Sequence, residues 1–389
     1  MKFPKKIESI KPSDTLDITA RAKAMIKEGK DIVILAAGEP DFDTPDIIKE
    51  SAIKAIKDGF TKYTPSAGTV SLREAIRQKL KKENNLDYEL DEIVVSNGAK
   101  HSLYNIFQVI CQEGDEVIVI HPYWLSYPEM VKLAGAKPVI IKTSLKNNFK
   151  VSISDLEKKI TKKTKAIILN SPSNPAGVVY AKEELRSILD LCARKDILII
   201  SDEIYEKIMF DGNTHNSIGA LSTDAKKRTI LVNGVSKSYA MTGWRIGYAA
   251  GDKDIMKRIV IAQSHATSNP CSISQVASEC ALKSDLNNFF EEKRAEFEKR
   301  RDVLISRLSG IDAVKIFKPS GAFYLFCDIS KTGLDSVTFS KRLLEEKGVA
   351  VIPGLPFGED KFIRISFASA INVIEKGADR IKSWIEGLK

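Results

Sequence analysis

Apolar runs bounded by turn residues alternate with segments of helical apolar spacing between residues 92 and 251. The runs predict strands, and the segments between them predict helices. We predict strands at 92–96, 116–120, 138–142, 166–170, 197–201, 229–235 and 246–251, and helices at 99–111, 126–135 and 182–194. Because the strands are apolar throughout and separated by helices, they indicate an α/β fold with a mostly parallel central sheet covered by helices on both faces.

The pattern changes beyond about residue 280. We predict one long helix at 285–308, then strands at 323–328, 349–352 and 362–366, and helices at 336–347 and 371–388. This mixture is typical of a smaller α+β domain. We therefore expect an N-terminal segment, residues 1–44, that packs with the small domain, a large domain at 45–280, and a small C-terminal domain at 281–389.

The composition is that of a globular protein, with 389 residues, 43% hydrophobic content and 29% charged content. The net charge of +9 is spread along the chain, so a lysine-rich surface and a field that favours anionic ligands both remain open. No localised basic stripe or apolar span is present, and we expect neither nucleic acid nor membrane as a partner. The five cysteines lack metal-ligand spacing and predict a cytoplasmic protein with reduced thiols and no metal.

Lys237 follows the apolar strand at 229–235, in the sequence Val-Ser-Lys-Ser. Burial lowers the pKa of a lysine, and a neutral amine can attack an aldehyde. Taken alone, Lys237 is more readily interpreted as a surface lysine, but Arg245 follows eight residues later at the start of the next strand. The hydroxyl of Ser236 and the guanidinium of Arg245 suit a phosphate group, while the amine suits an aldehyde on the same ligand.

Asp202 and Tyr205 follow the strand at 197–201. Ligands of open α/β sheets bind at the carboxyl ends of parallel strands. A carboxylate there can pair with the protonated pyridine nitrogen of pyridoxal phosphate and keep the ring an electron sink. Tyr205 can donate a hydrogen bond to the phenolic oxygen of that cofactor. A simple capping role for Asp202 remains the alternative.

Three further segments follow predicted strands. Asn174 lies in a loop with two prolines and a glycine, which can hold its amide rigidly against a ligand, although a plain turn has the same composition. Gly98 and Ala99 join a strand to a helix, where small residues let backbone N–H groups meet a phosphate. Trp124 lies past another strand end, where its indole can stack on a flat ring or pack in the core.

Taken together, these motifs resemble the fold-type-I pyridoxal-phosphate enzymes and, within them, the class I aminotransferases. The resemblance covers essentially the whole chain. Six motifs occur in the order of the family, namely Ala-Gly-Glu-Pro-Asp-Phe at 37–42, Tyr63 in Lys-Tyr-Thr-Pro-Ser-Ala-Gly, Asn174-Pro175, Asp202–Tyr205, Ser236-Lys237 and Gly243–Arg245. One motif would be a weak signal, whereas six in order are specific. The departure is Ala176, where the family often has threonine, and it puts only the rigidity of that loop in doubt.

The resemblance implies pyridoxal 5'-phosphate as the cofactor, bound mainly by the large domain. Lys237 corresponds to the Schiff-base lysine, which also serves as the base that moves a proton. Tyr63 is expected to reach the phosphate of the neighbouring subunit, which implies a homodimer with a shared active site. Asp202 corresponds to the partner of the ring nitrogen, and Tyr205 and Asn174 correspond to the donors to the phenolic oxygen. The indole of Trp124 is expected to stack on the ring. The expected contacts to the phosphate are Gly98, Ala99, Ser236 and Arg245.

The same resemblance implies a substrate site. Arg364 corresponds to the bidentate partner of the substrate α-carboxylate, and Gly38 to a backbone that closes over the substrate. Trp124 and Asn174 are expected to contact the substrate as well. Lys100 follows the phosphate-binding residues as it does in a subgroup of prokaryotic aspartate aminotransferases, where this lysine meets the distal carboxylate. A surface lysine at a helix start is the alternative.

Residues near the N-terminus resemble the mobile segment of that subgroup. Ser13 and Thr15 are expected to help enclose the side-chain carboxylate. Lys11 also resembles the basic residue of members that accept prephenate, which extends the expectation to a bifunctional aspartate/prephenate aminotransferase.

We therefore predict an aminotransferase that moves an amino group from L-aspartate, or a similar amino acid, to 2-oxoglutarate in a ping-pong cycle. An aminotransferase for aromatic amino acids or alanine, or a related lyase, is the alternative within enzymes. A cofactor-sensing regulator would need an added DNA-binding domain, and we do not expect one in the residues before Gly38.

Overall fold

The structure is a computed structural model that describes residues 3–10 and 14–388. Its strands are β1 (Val33–Ile34), β2 (Ile93–Ser96), β3 (Glu116–Ile120), β4 (Lys137–Ile141), β5 (Thr164–Asn170), β6 (Leu198–Asp202), β7 (Thr229–Gly234), β8 (Gly247–Ala250), β9 (Lys315–Ile316), β10 (Tyr324–Asp328), β11 (Val349–Ala350), β12 (Ile352–Pro353) and β13 (Phe362–Ser366). Its helices are α1 (Lys5–Glu8), α2 (Asp14–Lys27), α3 (Asp46–Lys57), α4 (Val70–Asn84), α5 (Ala99–Ile110), α6 (Ser126–Leu133), α7 (Ile153–Lys159), α8 (Lys182–Lys195), α9 (Thr223–Arg228), α10 (Lys253–Ala266), α11 (Ser272–Lys283), α12 (Asn287–Leu308), α13 (Ser336–Lys347) and α14 (Ile371–Glu386).

Seven strands form the central sheet in the order β2-β8-β7-β6-β5-β3-β4. Six strands run in one direction and β8 runs in the opposite one, so the predicted mostly parallel sheet is confirmed. Residues 235–246 explain the exception, because they form turns and one short 3₁₀ helix and not a crossover α-helix. Without a crossover the chain returns beside β7 in the opposite direction.

Helices cover both faces of this sheet, as predicted. Successive residues of a strand point to opposite faces, so Ile167 packs in one apolar cluster with Leu185 of α8. Its neighbour Ile168 packs in another cluster with Ile106 of α5. Both faces are buried, which explains why the strand sequences are apolar throughout and not alternating.

The smaller sheet is antiparallel, with strand order β12-β13-β10-β9. The single strand predicted at 349–352 is divided between β11 and β12, which belong to different sheets. β11 pairs in parallel with β1, so residues 33–34 lie against residues 349–350. The domain boundaries at residues 44 and 280 stay a prediction. In the described ranges 3–10 and 14–388, no helix has the length and apolar character needed to cross a membrane.

Candidate active site

Lys237 lies just past the carboxyl end of β7, in a turn that is partly buried. Its amine donates a hydrogen bond to the carbonyl oxygen of Gly38 at 2.5 Å. The amine nitrogen is also 6.0 Å from the ring centroid of Tyr205 and 5.9 Å from that of Phe323. Segments that are far apart in the sequence therefore meet around this amine.

Charged groups from four other segments act on the same amine. Burial is the main reason that the pKa of Lys237 falls to about 8. Glu39 and Asp202 raise this pKa by attraction, whereas Arg364 and Arg245 lower it by repulsion. The amine, the acidic group of Asp202 and the guanidinium of Arg245 thus share one region of the molecule.

Asp202 ends β6 with its carboxylate buried. The hydroxyl of Tyr127 donates to its Oδ2 at 2.6 Å, and the backbone N–H of Ile204 donates to its Oδ1 at 3.3 Å. The hydrogen bond from Ile204 is the contact that a capping role of Asp202 predicts. The hydrogen bond from Tyr127 joins Asp202 to α6. Burial raises the pKa of Asp202 to about 6, and the Tyr127 hydrogen bond limits this rise.

The backbone around Asp202 is tied to the predicted Asn174 loop. Asn170, at the end of β5, donates from its Nδ2 to the Asp202 carbonyl oxygen at 2.9 Å. Its Oδ1 accepts the backbone N–H of Asn174 at 2.9 Å. The two neighbouring strand ends therefore hold each other in register at the site.

Arg364 lies in β13 and is only 4% exposed. It donates to Oδ1 of Asn174 at 3.0 Å and to the carbonyl oxygen of Ala36 at 3.1 Å, and its guanidinium carbon is 4.2 Å from the ring centroid of Tyr324. The Tyr324 hydroxyl is in turn 2.9 Å from that of Tyr205. Arg364 forms no ion pair within residues 3–10 and 14–388, and its Nε has no partner there. A buried cation without a carboxylate is costly, so this position suits an anionic ligand.

Two glycines allow close packing at the start of α5. Gly98 makes room for the guanidinium of Arg245, and Gly247 makes room for the backbone of Ala99. A Cβ on Gly98 would lie 2.3 Å from Nη2 of Arg245, and one on Gly247 would lie 2.1 Å from the backbone nitrogen of Ala99. Arg245 is itself held by the carbonyl oxygen of Asn97 at 3.3 Å. The N-terminus of α5 and the Arg245 fork together form a cradle of the kind that holds phosphate.

The donor set fits pyridoxal phosphate. The cradle suits the phosphate, the amine of Lys237 with its lowered pKa suits the aldehyde, and the buried carboxylate of Asp202 suits a protonated ring nitrogen. Ser236 is buried beside Lys237. The roles of the individual residues stay predictions, but their positions fit the group that the sequence implies.

The remaining predicted residues lie around this centre or away from it. The amine of Lys100 is 4.8 Å from the ring centroid of Trp124, and burial lowers the pKa of Lys100, with a contribution from Arg245. Trp124 also packs edge-on against Tyr127, with ring centroids 5.3 Å apart. Tyr63 is 91% exposed.

The side chains of the site residues predicted near the N-terminus lie outside the part of the chain that the structure describes. Lys11 and Ser13 lie outside the described residues, and so does the side chain of Thr15.

Sequence analysis missed two tyrosines of the site. Tyr127 lies only three residues past the predicted site residue Trp124, and this proximity in the sequence could have indicated it. Tyr324 lies in the run Phe323–Phe326, where no local feature distinguishes it from a core aromatic.

Comparisons with known proteins agree with this geometry. The family described as aminotransferase class I and II matches residues 30–381. The aspartate aminotransferase of Bacillus sp. strain YM-2 is 49% identical over 386 residues, 98% of each chain. The probable aspartate/prephenate aminotransferase of Rickettsia conorii is 48% identical over 392 residues, again 98% of each chain.

Solved structures give the same result. The crystal structure of the aspartate aminotransferase from Rhizobium meliloti superposes with a TM-score of 0.96 at 42% identity and covers 100% of both chains. The aspartate aminotransferase from Thermus thermophilus with maleate gives a TM-score of 0.95 at 41% identity, over 98% of this chain and 99% of that one. The chain therefore belongs to the class I and II aminotransferases, pyridoxal-phosphate enzymes that transfer amino groups between amino acids and 2-oxo acids.

Proposed function

We propose that the protein transfers the amino group of L-aspartate, or of a similar amino acid, to 2-oxoglutarate in a ping-pong cycle. The observation that carries this proposal is a pair of cationic groups without acidic partners. Neither Arg364 nor Lys100 has an ion pair in the part of the chain that the structure describes, and Arg364 is buried. Two such cations suit a substrate with two carboxylates.

The relatives support the same substrate class. The relatives from Bacillus and Rickettsia are named for aspartate, and the Rickettsia protein also for prephenate. Prephenate also carries two carboxylates, so both substrates fit one pair of cations.

Lys237 and Asp202 supply the chemistry that this chain contributes. When bound, pyridoxal phosphate supplies an aldehyde and a ring that withdraws electrons. The amine of Lys237, with a pKa of about 8, can take up and return the proton of the substrate α-carbon near neutral pH. Asp202, with a pKa of about 6, is ionised at neutral pH and can hold a proton on the ring nitrogen.

Arg364 and Asn174 position the substrate. Arg364 presents a planar fork that matches an α-carboxylate, and its contacts with Asn174 and Ala36 fix the plane of that fork. Since Oδ1 of Asn174 accepts from Arg364, its Nδ2 is left for the phenolic oxygen, to which Tyr205 is the second donor. Gly38 and Trp124 are proposed to enclose the substrate.

The cradle around Gly98 holds the phosphate in this proposal. The backbone of Gly98 and Ala99, the Ser236 hydroxyl and the Arg245 fork are its contacts from the same chain. Tyr63 is the contact from the partner in a proposed homodimer with a shared active site. In support, Tyr63 is 91% exposed and follows α3, whose Ile53 and Ile56 are also exposed although the helix buries another face. Large apolar side chains left exposed close together are typical of a surface that another protein covers.

A cytoplasmic location is part of the same proposal. All five cysteines are free thiols, and Cys271 is exposed. Free thiols of this kind are typical of reducing compartments.

Absorption spectra and substrate kinetics test the proposal. The visible absorbance of the lysine-bound cofactor should disappear on addition of aspartate and return on addition of 2-oxoglutarate. The kcat/KM should be measured for aspartate, alanine, phenylalanine and, as a donor–acceptor pair, for glutamate with prephenate. A preference for alanine or phenylalanine over aspartate would contradict the assignment.

Lys100→Met isolates the distal carboxylate. We expect it to lower kcat/KM for aspartate about tenfold to hundredfold, because a charge-assisted hydrogen bond is lost, and to leave alanine almost unchanged. Lys182→Met is the matched control, since Lys182 is an exposed lysine that also begins a helix. Equal losses for aspartate and alanine would show that Lys100 does not read the second carboxylate.

A further inference from the structure

The loop that carries Tyr63 is held firmly although the tyrosine itself is exposed. We call residues 58–69, between α3 and α4, the Tyr63 loop. The fully buried side chain of Gln275 donates to Oγ1 of Thr64 at 2.9 Å and accepts the backbone N–H of Thr69 at 2.8 Å. A surface tyrosine whose neighbour Thr64 is held by a buried side chain is preorganised to contact something outside its own chain.

A second buried glutamine, Gln263 of α10, holds the middle of this loop. Its Nε2 donates to the carbonyl oxygens of Ser66 at 2.6 Å and Val95 at 2.8 Å. Its Oε1 accepts from Oγ of Ser96 at 2.7 Å and from Nδ2 of Asn105 at 3.0 Å. A glutamine amide offers two donor hydrogens and two lone pairs, so Gln263 uses its full capacity. One side chain thus joins the Tyr63 loop, β2 and α5.

β2 leads directly into the phosphate cradle. We call residues 96–98 the phosphate turn. Ser96 ends β2, and the next carbonyl oxygen, that of Asn97, accepts from Arg245. The backbone N–H of Val95 also donates to the carbonyl oxygen of Ala67 in the Tyr63 loop at 3.0 Å. The loop and the turn therefore form one hydrogen-bonded unit with Gln263 at its centre.

We propose that Gln263 is a positioning residue that couples the phosphate turn of one subunit to the Tyr63 loop, which that subunit supplies to its partner's active site. The inference rests on the proposed homodimer and on the proposed phosphate contacts of Gly98 and Tyr63. Gln263 is 0% exposed, so its amide has no water as an alternative partner. A shift of the phosphate turn must therefore break buried hydrogen bonds or move the loop with it. Cofactor binding at the phosphate turn of one subunit thus also fixes the position of the Tyr63 that this subunit supplies to its partner's active site.

Mixed dimers with one complete site test this coupling. One subunit carries Lys237→Ala and the other Tyr63→Phe, each with its own affinity tag. Only the Tyr63→Phe subunit then combines its own Lys237 with a tyrosine from the partner, and the visible absorbance of lysine-bound cofactor reports that site alone. Gln263→Met, close in volume but without the amide, is added to either subunit, and the equilibrium affinity for pyridoxal phosphate is measured.

We expect Gln263→Met to weaken binding of pyridoxal phosphate about fivefold to tenfold in either subunit, because each placement breaks one side of the link. An effect from only one of the two placements, or from neither, would overturn the coupling. The mixed dimer without a change at Gln263 tests the proposed function separately. If its affinity were as weak as that of the Tyr63→Phe homodimer, the shared active site would be wrong.

A second ligand separates positioning from a general loss of stability. Pyridoxal lacks the phosphate, so Gln263→Met should leave its affinity within about twofold. An equal loss for both ligands would overturn the proposal. Gln275→Met frees only the Tyr63 loop and should weaken pyridoxal phosphate binding only from the subunit that supplies the tyrosine. If the Gln263→Met chain does not fold, Ser96→Ala replaces it, because it removes the hydrogen bond from the phosphate turn to Gln263 and keeps the glutamine; it should weaken pyridoxal phosphate binding only when the subunit with the complete site carries it.

Discussion

The carboxylate of Asp202 should cost the cofactor-free protein stability at neutral pH. It is 4% exposed, and burial raises its pKa from 3.8 to about 6. Since the folded chain binds this proton more tightly than the unfolded chain, stability falls as pH rises from about 4 to about 6 and stays reduced above that window. A difference of about two pKa units corresponds to about 3 kcal/mol.

Asp202→Asn removes the charge and keeps the shape, and its amide oxygen can still accept from Tyr127. We expect the variant to exceed the parent in free energy of unfolding by up to about 3 kcal/mol above about pH 7, and by about 1.5 kcal/mol near about pH 5, where the parent carboxyl is largely protonated. Urea unfolding of both cofactor-free proteins between about pH 5 and about pH 8 measures the difference.

Asp224→Asn is the matched control with the opposite sign. Its hydrogen bonds with Arg228 lower the pKa of the exposed Asp224, so the amide should not stabilise the protein at any pH in this range. Equal stability of the parent and Asp202→Asn above about pH 7, or a difference independent of pH, would refute the reasoning. If the expected difference is found, Asp202 is a residue retained for function at a cost in stability.

Three further predictions concern other parts of the site. Since burial lowers the pKa of Lys237 to about 8, the rate at which its amine reacts with an aldehyde should rise with pH and level off above about pH 8. Glu39→Gln should move the midpoint of this pH profile lower, because Glu39 raises the pKa of the amine. A midpoint near the ordinary 10.5 would contradict the prediction. Gly247→Ala places a methyl group 2.1 Å from a backbone nitrogen of α5 and should weaken cofactor binding by about tenfold or more. The added methyl group of the control Gly243→Ala meets nothing within 4 Å, so this variant should keep its affinity. Equal affinities of the two variants would refute the proposed phosphate-binding role of the cradle. Arg364→Lys replaces the fork with a point charge and should raise KM for aspartate about tenfold or more, and an unchanged KM would argue against its contact with the α-carboxylate.

Local patterns in the sequence were sufficient for much of the sheet. β3 begins and ends where it was predicted, and the other central strands agree within a few residues. The same reasoning located Lys237 and Asp202 after consecutive strands, and since β6 and β7 are parallel neighbours, both residues lie at one edge of the sheet. Apolar periodicity did not reveal eight helices of the described ranges, namely α1 to α4, α7 and α9 to α11.

Side-chain partners from distant segments were decided only by the tertiary structure. The sequence determined which residue types follow which strands, because each strand and its end are encoded within a few neighbouring positions. It did not indicate that Tyr127 would meet Asp202, that Tyr324 would pack on Arg364, or that Gln263 would join the Tyr63 loop to β2. Each of these contacts joins residues 40 or more positions apart, and its geometry depends on how whole helices and strands pack, which no local spacing records.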